Sequence, residues 1–288
     1  MRLLLIGIAL STAAASLMGC SSRKPVLMSG SLDKGLVIVL TGIEGRSPFN
    51  EAICDGLRQG GVDAAIQLYD WTSPFPIAIY NQRAYKRNHE KAAEIARWIM
   101  QYKKVYPNRP VILVGQSGGA AIAAWTVEAL PTGQNVDAVV MLAASLSPHY
   151  RLDVSLMRSR RGVVNFYSSR DVLLLGIGTT VTGTMDGEHS SSAGRVGFET
   201  PSGDARPVIY NKLYQIAWTP KMASAGNLGI HFSSGAGRFI AQYVAPLVKA
   251  KVWNSEFVAR IADGQGDSAA AAIAQPEKSA PVNRQPSP

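Results

Sequence analysis

Histidine and cysteine are scarce in this 288-residue chain, at four and two residues, and the scarcity excludes several chemistries at once. No Cys or His pair stands at metal-ligand spacing, so a zinc site has no ligand set and no metal is expected. The turn from Gly42 to Gly45 lacks a Gly-x-Gly-x-x-Gly run, and no Lys-Ser/Thr follows a glycine loop. Dinucleotides and nucleoside triphosphates therefore lack their usual cradle, and no cofactor is expected. Charged residues are also few, 17% of the chain, with 29 Lys plus Arg against 20 Asp plus Glu. Arg158, Arg160 and Arg161 make one basic cluster near the end of an apparent helix, where helix-end electrostatics favour them. No aromatic residues interleave with it, so nucleic acid is not an expected partner. The surplus of positive charge implies no more than a mild attraction to anionic surfaces.

The first twenty residues, by contrast, read as an export signal. Arg2 is a minimal basic region, Leu3 to Leu10 an apolar core, and Ala13-Ala14-Ala15 leads into Leu17-Met18-Gly19-Cys20. The ending resembles the lipobox of bacterial lipoproteins, which implies cleavage before Cys20 and a diacylglyceryl group on its sulfur. Ser21-Ser22 resembles the continuation found in lipoproteins sent to an outer membrane. The expected location is thus the bacterial cell envelope, with an N-terminal lipid anchor in the membrane. With Cys20 so used, Cys54 has no intrachain partner, and a disulfide framework is excluded.

Removal of residues 1–19 leaves about 269 residues, enough for one large domain. Residues 20–34 read as a tether. From 35 to 262 the pattern alternates between strand and helix. Leu36 to Leu40 is a continuous apolar run, as in a strand covered on both faces, and 64–69, 110–116, 136–146, 163–167 and part of 208–218 supply five more. Helices are expected over 50–60, 82–106, 118–130 and 232–253, with a kink at Pro246. The intervals imply βαβ units and an α/β domain: a mostly parallel central sheet of about six strands with helices on both faces. The passage 176–203 is rich in Gly, Ser and Thr and has little period. Residues 263–288 are too poor in bulky apolar side chains to pack and read as a disordered tail.

The most telling stretch is Pro110 to Gly119. An apolar strand stops at Gly115-Gln116-Ser117-Gly118-Gly119, and an alanine-rich helix former follows directly. Gly-x-Ser-x-Gly between strand and helix is the nucleophile elbow of serine hydrolases. Glycines two positions either side of the serine are required because side chains there would collide with neighbouring backbone. Ser117 is then strained, with its hydroxyl held up at the carboxyl end of the sheet. Gly118, opening the helix, offers a backbone N–H to an oxyanion.

This elbow, with the strand and helix order over residues 35 to 255, resembles the α/β-hydrolase superfamily in a minimal, six-stranded version. The resemblance implies a base and an acid later in the chain. Carried onto this sequence, the triad is Ser117, Asp171 after the fifth strand and His231 after the last. Asp186 and Asp153 are rival acids and His189 a rival base, because a long loop can close over the site. Asp171 can also serve as a first-turn acid for a helix over 172–176. The second oxyanion donor, by the same analogy, is Ile43, with Gly42 as the alternative.

Tyr69, Trp71, Phe75, Pro76, Ile77 and Ile79 cluster after the second strand and are candidates for an acyl pocket, with anchoring of a hydrophobic loop as the other reading. His149 is a candidate for the substrate entrance, and His89 for the surface. The implied activity is a serine hydrolase acting on a small-molecule or lipid ester or thioester. An acyltransferase using the same triad, and a non-catalytic lipoprotein that keeps the fold for binding, are the alternatives; oligomeric state is not legible.

Overall fold

Strands with no polar face need cover on both sides, and the computed structural model shows how it is supplied. The structure describes residues 25–73, 78–172, 183–201 and 208–266. Seven strands form one sheet: β1 (Val26–Ser29), β2 (Ser31–Leu40), β3 (Ala64–Tyr69), β4 (Val111–Gln116), β5 (Ala138–Leu142), β6 (Val163–Tyr167) and β7 (Leu213–Ala217). Their spatial order is β1-β3-β2-β4-β5-β6-β7. Every neighbouring pair is parallel except β1 with β3. The pleat sends Leu36, Ile38 and Leu40 of β2 to one face and Val37 and Val39 to the other.

The first face packs against α3 (Tyr85–Val105), through Ala92, Ile95, Ala96 and Ile99, and against α4 (Gly118–Glu128). The second packs against α1 (Pro48–Gln59) through Ile53, Cys54 and Leu57, and against Phe239, Ile240, Tyr243 and Leu247 of the terminal helix. The fold is therefore α/β, with a mostly parallel sheet between two helical layers.

Three boundaries differ from the sequence reading. The expected tether over 20–34 is shorter. Val26–Ser29 pairs with β3 as an edge strand, and Ser31 onward already belongs to β2. This strand makes the sheet seven-stranded rather than six. It escaped notice because it has four residues, half exposed, with neither an apolar run nor clean alternation. The terminal helix is broken into Gly237–Phe239, a π-helical Ile240–Val244 and Ala245–Lys249. The wide segment lies just ahead of Pro246, which has no N–H for the regular ladder. Beyond it a further helix, Ser255–Ala262, is capped by Asn254 Oδ1, which accepts from Phe257 N at 2.7 Å. Gly264 N and Gln265 N then bond back to Ile261 O and Arg260 O, so ordered chain runs past 263. Residues 267–288, like Cys20, lie outside the described residues.

The basic cluster is spent inside the fold. Arg158 donates to the carbonyls of Glu128 and Leu130 at the carboxyl end of α4, at 2.7 and 2.6 Å. Arg161 donates to Val248 O at 3.1 Å, and Arg160 pairs with Asp137. Cations at helix carboxyl ends are favourable for the reason given above, although the helices served are not the one expected. Cys54 is sealed in the core, and burial pushes its thiol up to about 12. Native protein should therefore resist a thiol reagent such as DTNB at pH 8 and react fully once unfolded in guanidinium. Rapid native labelling would show that α1 leaves the sheet readily.

Candidate active site

The elbow is built by close backbone packing. β4 ends at Gln116, Ser117 adopts φ +55° with ψ −120°, and α4 begins at Gly118. A positive φ at a non-glycine residue is strained, and it persists because the surroundings fix it. Ser117 N donates to Leu142 O at 2.9 Å, while Ser117 O accepts from Ala120 N and Ser145 N, both at 3.1 Å. A Cβ on Gly115 would be driven into the backbone of Gly119, and one on Gly119 into the carbonyls of Leu40 and Thr41. The Gly119→Ala variant should lose about 1–3 kcal/mol of stability by overpacking. A urea midpoint equal to that of the parent would mean that β2 and α4 are not in close contact.

The loop after β2 faces the start of α4. A Cβ at Gly118 would meet Ile43 Cγ2 at 2.7 Å, Trp71 Cζ2 at 3.2 Å and Met185 Sδ at 3.4 Å. The loop is held at three points. Trp71 Nε1 donates to Thr41 O at 2.7 Å, Asn81 Nδ2 to Ile43 O at 2.9 Å, and Gly45 N to Gly42 O at 3.2 Å. Asn81 belongs to α2 (Ala78–Arg83) and accepts from Ser73 N, which ties α2 to the same loop. Among the described residues, neither the Gly118 N–H nor the Ile43 N–H has a hydrogen-bond partner. A backbone N–H without a partner next to Ser117 is free to bond an incoming group.

Asp171 and His231 meet. His231 Nδ1 lies 2.8 Å from Asp171 Oδ2, with both side chains buried. A carboxylate only accepts, so Nδ1 carries a proton in this pair, and in the neutral imidazole the lone pair is then on Nε2. Asp171 is set by a turn after β6, its N–H donating to Ser168 O at 3.0 Å. His231 opens the 3₁₀ turn His231–Gly235, and Ser234 Oγ donates to its carbonyl at 2.8 Å. Ser117, Asp171 and His231 all follow the carboxyl ends of strands, β4, β6 and β7, on one edge of the sheet.

The rival residues have other partners. Asp186 Oδ1 accepts from Ser147 N at 2.9 Å and Thr184 Oγ1 at 2.6 Å, which pins the irregular loop to the segment after β5. Asp153 pairs with Arg151, and His189 is exposed. His149 is also exposed, with Nδ1 3.1 Å from a carboxylate oxygen of Glu199. His89, expected at the surface, is partly exposed and stacks on Trp125 with ring centroids 4.0 Å apart.

Among the described residues of the aromatic cluster, Trp71 lies beside the elbow. Tyr69 is core: it stacks with Trp98, and its hydroxyl donates to Glu94 at 3.2 Å, because its strand turns it toward α3. Phe75, Pro76 and Ile77 lie outside the described residues, and so does most of the helix expected over 172–176. Sequence reasoning missed Met185 and Asn81, together with the Phe49–Phe232 stack, whose ring centroids are 4.6 Å apart and which abuts His231. No local pattern marks them, since each meets the site from a distant part of the chain.

No protein-family model matches the sequence, and no curated protein resembles it. Among solved structures the chain is similar to an Aspergillus fumigatus lipase B, at 12% identity and a TM-score of 0.46 over 86% of this chain and 64% of that one. It is also similar to a dienelactone hydrolase from Anabaena variabilis, at 15% identity and 0.41, over 78% and 96%. A third likeness is to esterase PE8, at 16% identity and 0.39, over 68% and 91%. At such identities and superpositions, these likenesses define neither a family nor a reaction for this chain.

Proposed function

We propose that this protein is a serine hydrolase that cleaves carboxylic esters or thioesters through an acyl-enzyme. The observation that carries the reading is the buried Asp171–His231 hydrogen bond on the same sheet edge as the strained Ser117. In this mechanism His231 Nε2 takes the Ser117 hydroxyl proton as Oγ attacks the ester carbonyl carbon. The carbonyl oxygen becomes an oxyanion and accepts from the N–H groups of Gly118 and Ile43. His231 returns the proton to the leaving alcohol or thiol as the C–O or C–S bond breaks. Water then repeats the sequence on the acyl-enzyme, releasing the acid and regenerating Ser117. Asp171 holds the tautomer and stabilises the transient imidazolium.

Stopped-flow mixing with p-nitrophenyl acetate should give a burst of about one equivalent of p-nitrophenolate per enzyme before steady turnover. No release above the rate in buffer would contradict the reading and favour a binding role. We also propose that the signal ending at Cys20 leads to acylation of that cysteine and anchorage in the cell envelope. Among the described residues no helix is long and apolar enough to cross a membrane. Metabolic palmitate labelling that persists in Cys20→Ser would contradict this anchorage.

A further inference from the structure

The point where the chain enters the sheet has a consequence for what the site can reach. β1 is the one antiparallel strand, so its first residue lies at the carboxyl edge of the parallel strands, the edge that carries Ser117. Register makes this explicit: Val26 pairs with Leu68, Leu68 with Val39, and Val39 with Val114, three residues before Ser117. The entry point is thus about 14 Å sideways and about 10 Å along the strands from the nucleophile. From Cys20 to Pro25 are five residues, a reach of at most about 17 Å. The described domain is about 45 Å across by the compactness of folded chains. A tether of 15 residues would span about 50 Å and leave the domain free to turn over. One of five residues does not.

The same edge is apolar where it meets solvent. Phe49, Ile79, Val172, Leu228, Ile230 and Phe232 are each more than a third exposed. Phe49 and Phe232 stack beside His231, Val172 follows Asp171, Leu228 and Ile230 precede His231, and Ile79 lies in α2, which is bonded to the Ile43 loop. These side chains adjoin the catalytic groups in sequence or by contact; Val105, Met157, Val208 and Val252 are exposed apolar residues outside this rim. Arg23 and Lys24, inside the tether, add attraction to anionic headgroups.

We propose that the diacylglyceryl anchor at Cys20 holds the Ser117 edge of the sheet, with its apolar rim, against the bilayer, so that the site draws its ester from the membrane. The substrate class is accordingly an ester or thioester whose acyl chain resides in the lipid phase. The orientation rests on acylation of Cys20, and the substrate class also rests on the serine-hydrolase reading above.

The test uses the full chain, exported and acylated, with Cys20 modification confirmed by mass, in phosphatidylethanolamine–phosphatidylglycerol vesicles containing bilayer-embedded brominated lipid. A fluorophore is placed at Leu228→Cys on the rim or at Val105→Cys, the exposed end of α3 at the opposite edge of the sheet. Cys54 is buried and stays unlabelled. Quenching should be strong at 228 and absent at 105, and it should be the same in a Ser117→Ala background, since orientation does not need turnover. Fifteen Gly/Ser residues inserted between Lys24 and Pro25 should erase the difference. The insertion should also lower hydrolysis of a vesicle-embedded long-chain ester about eightfold, as effective concentration falls with tether length. Hydrolysis of p-nitrophenyl acetate should be unchanged. Equal quenching at both positions, stronger quenching at 105, or an unmodified Cys20 would overturn the orientation. Asymmetric quenching with no turnover of any ester would instead overturn the hydrolase reading alone.

Discussion

Ser117→Ala and His231→Ala should each lower kcat on short p-nitrophenyl esters by about 10⁶, and Ser117→Ala should leave the thermal unfolding curve close to that of the parent. The expectation follows from the division of labour. The serine oxygen is inert without a base, and the base has nothing to activate without the serine. Losing either leaves the two backbone donors and the binding surface, which together still exceed water. The double variant should therefore be little worse than either single one. Additive losses would mean that Ser117 and His231 act in separate steps. Stability should change little, because Ser117 is held through its backbone, by Leu142 O and by the amides of Ala120 and Ser145, and alanine keeps all three bonds.

The second large effect separates two aspartates. Asp171→Asn should cost about 10⁴ in kcat, because the amide can donate to His231 Nδ1 and so favour the wrong tautomer, and it brings no charge to stabilise the imidazolium. Asp186→Asn keeps the oxygen that accepts from Ser147 N and Thr184 Oγ1, so it should cost at most about 1 kcal/mol of loop stability and little activity. Steady-state kinetics on the two variants side by side, with urea denaturation, distinguishes the roles. Silencing by Asp186→Asn with activity retained in Asp171→Asn would move the acid to the irregular loop.

What could be read from the sequence was whatever a short stretch determines by itself. Val37 to Leu40 has no polar face, which already requires cover on both sides. Gly115 and Gly119 stand where only glycine fits between β2, β4 and α4. Asp171 and His231 were implied by the superfamily resemblance, through their places after the fifth and last strands, and the structure brings these two side chains together. What could not be read depended on partners far along the chain. Val26–Ser29 is a strand only because β3 offers it an open edge, and its four residues carry no period of their own. Tyr69 and Trp71 are two residues apart and equally aromatic. One is turned toward Glu94 in the core and the other bonds Thr41 O beneath the elbow, a difference set by tertiary packing. Asn81 fixes Ile43 from a separate helix, and nothing near residue 81 announces that contact.

The most direct measurement is covalent. Folded protein incubated with a fluorophosphonate and digested should yield one modified peptide, with the phosphonyl mass on Ser117. Labelling should collapse in His231→Ala, whose serine is intact but has no base, and persist in Asp186→Asn. A phosphonyl group on another residue, or on Ser117 at an undiminished rate without His231, would contradict a serine activated by the His231–Asp171 pair.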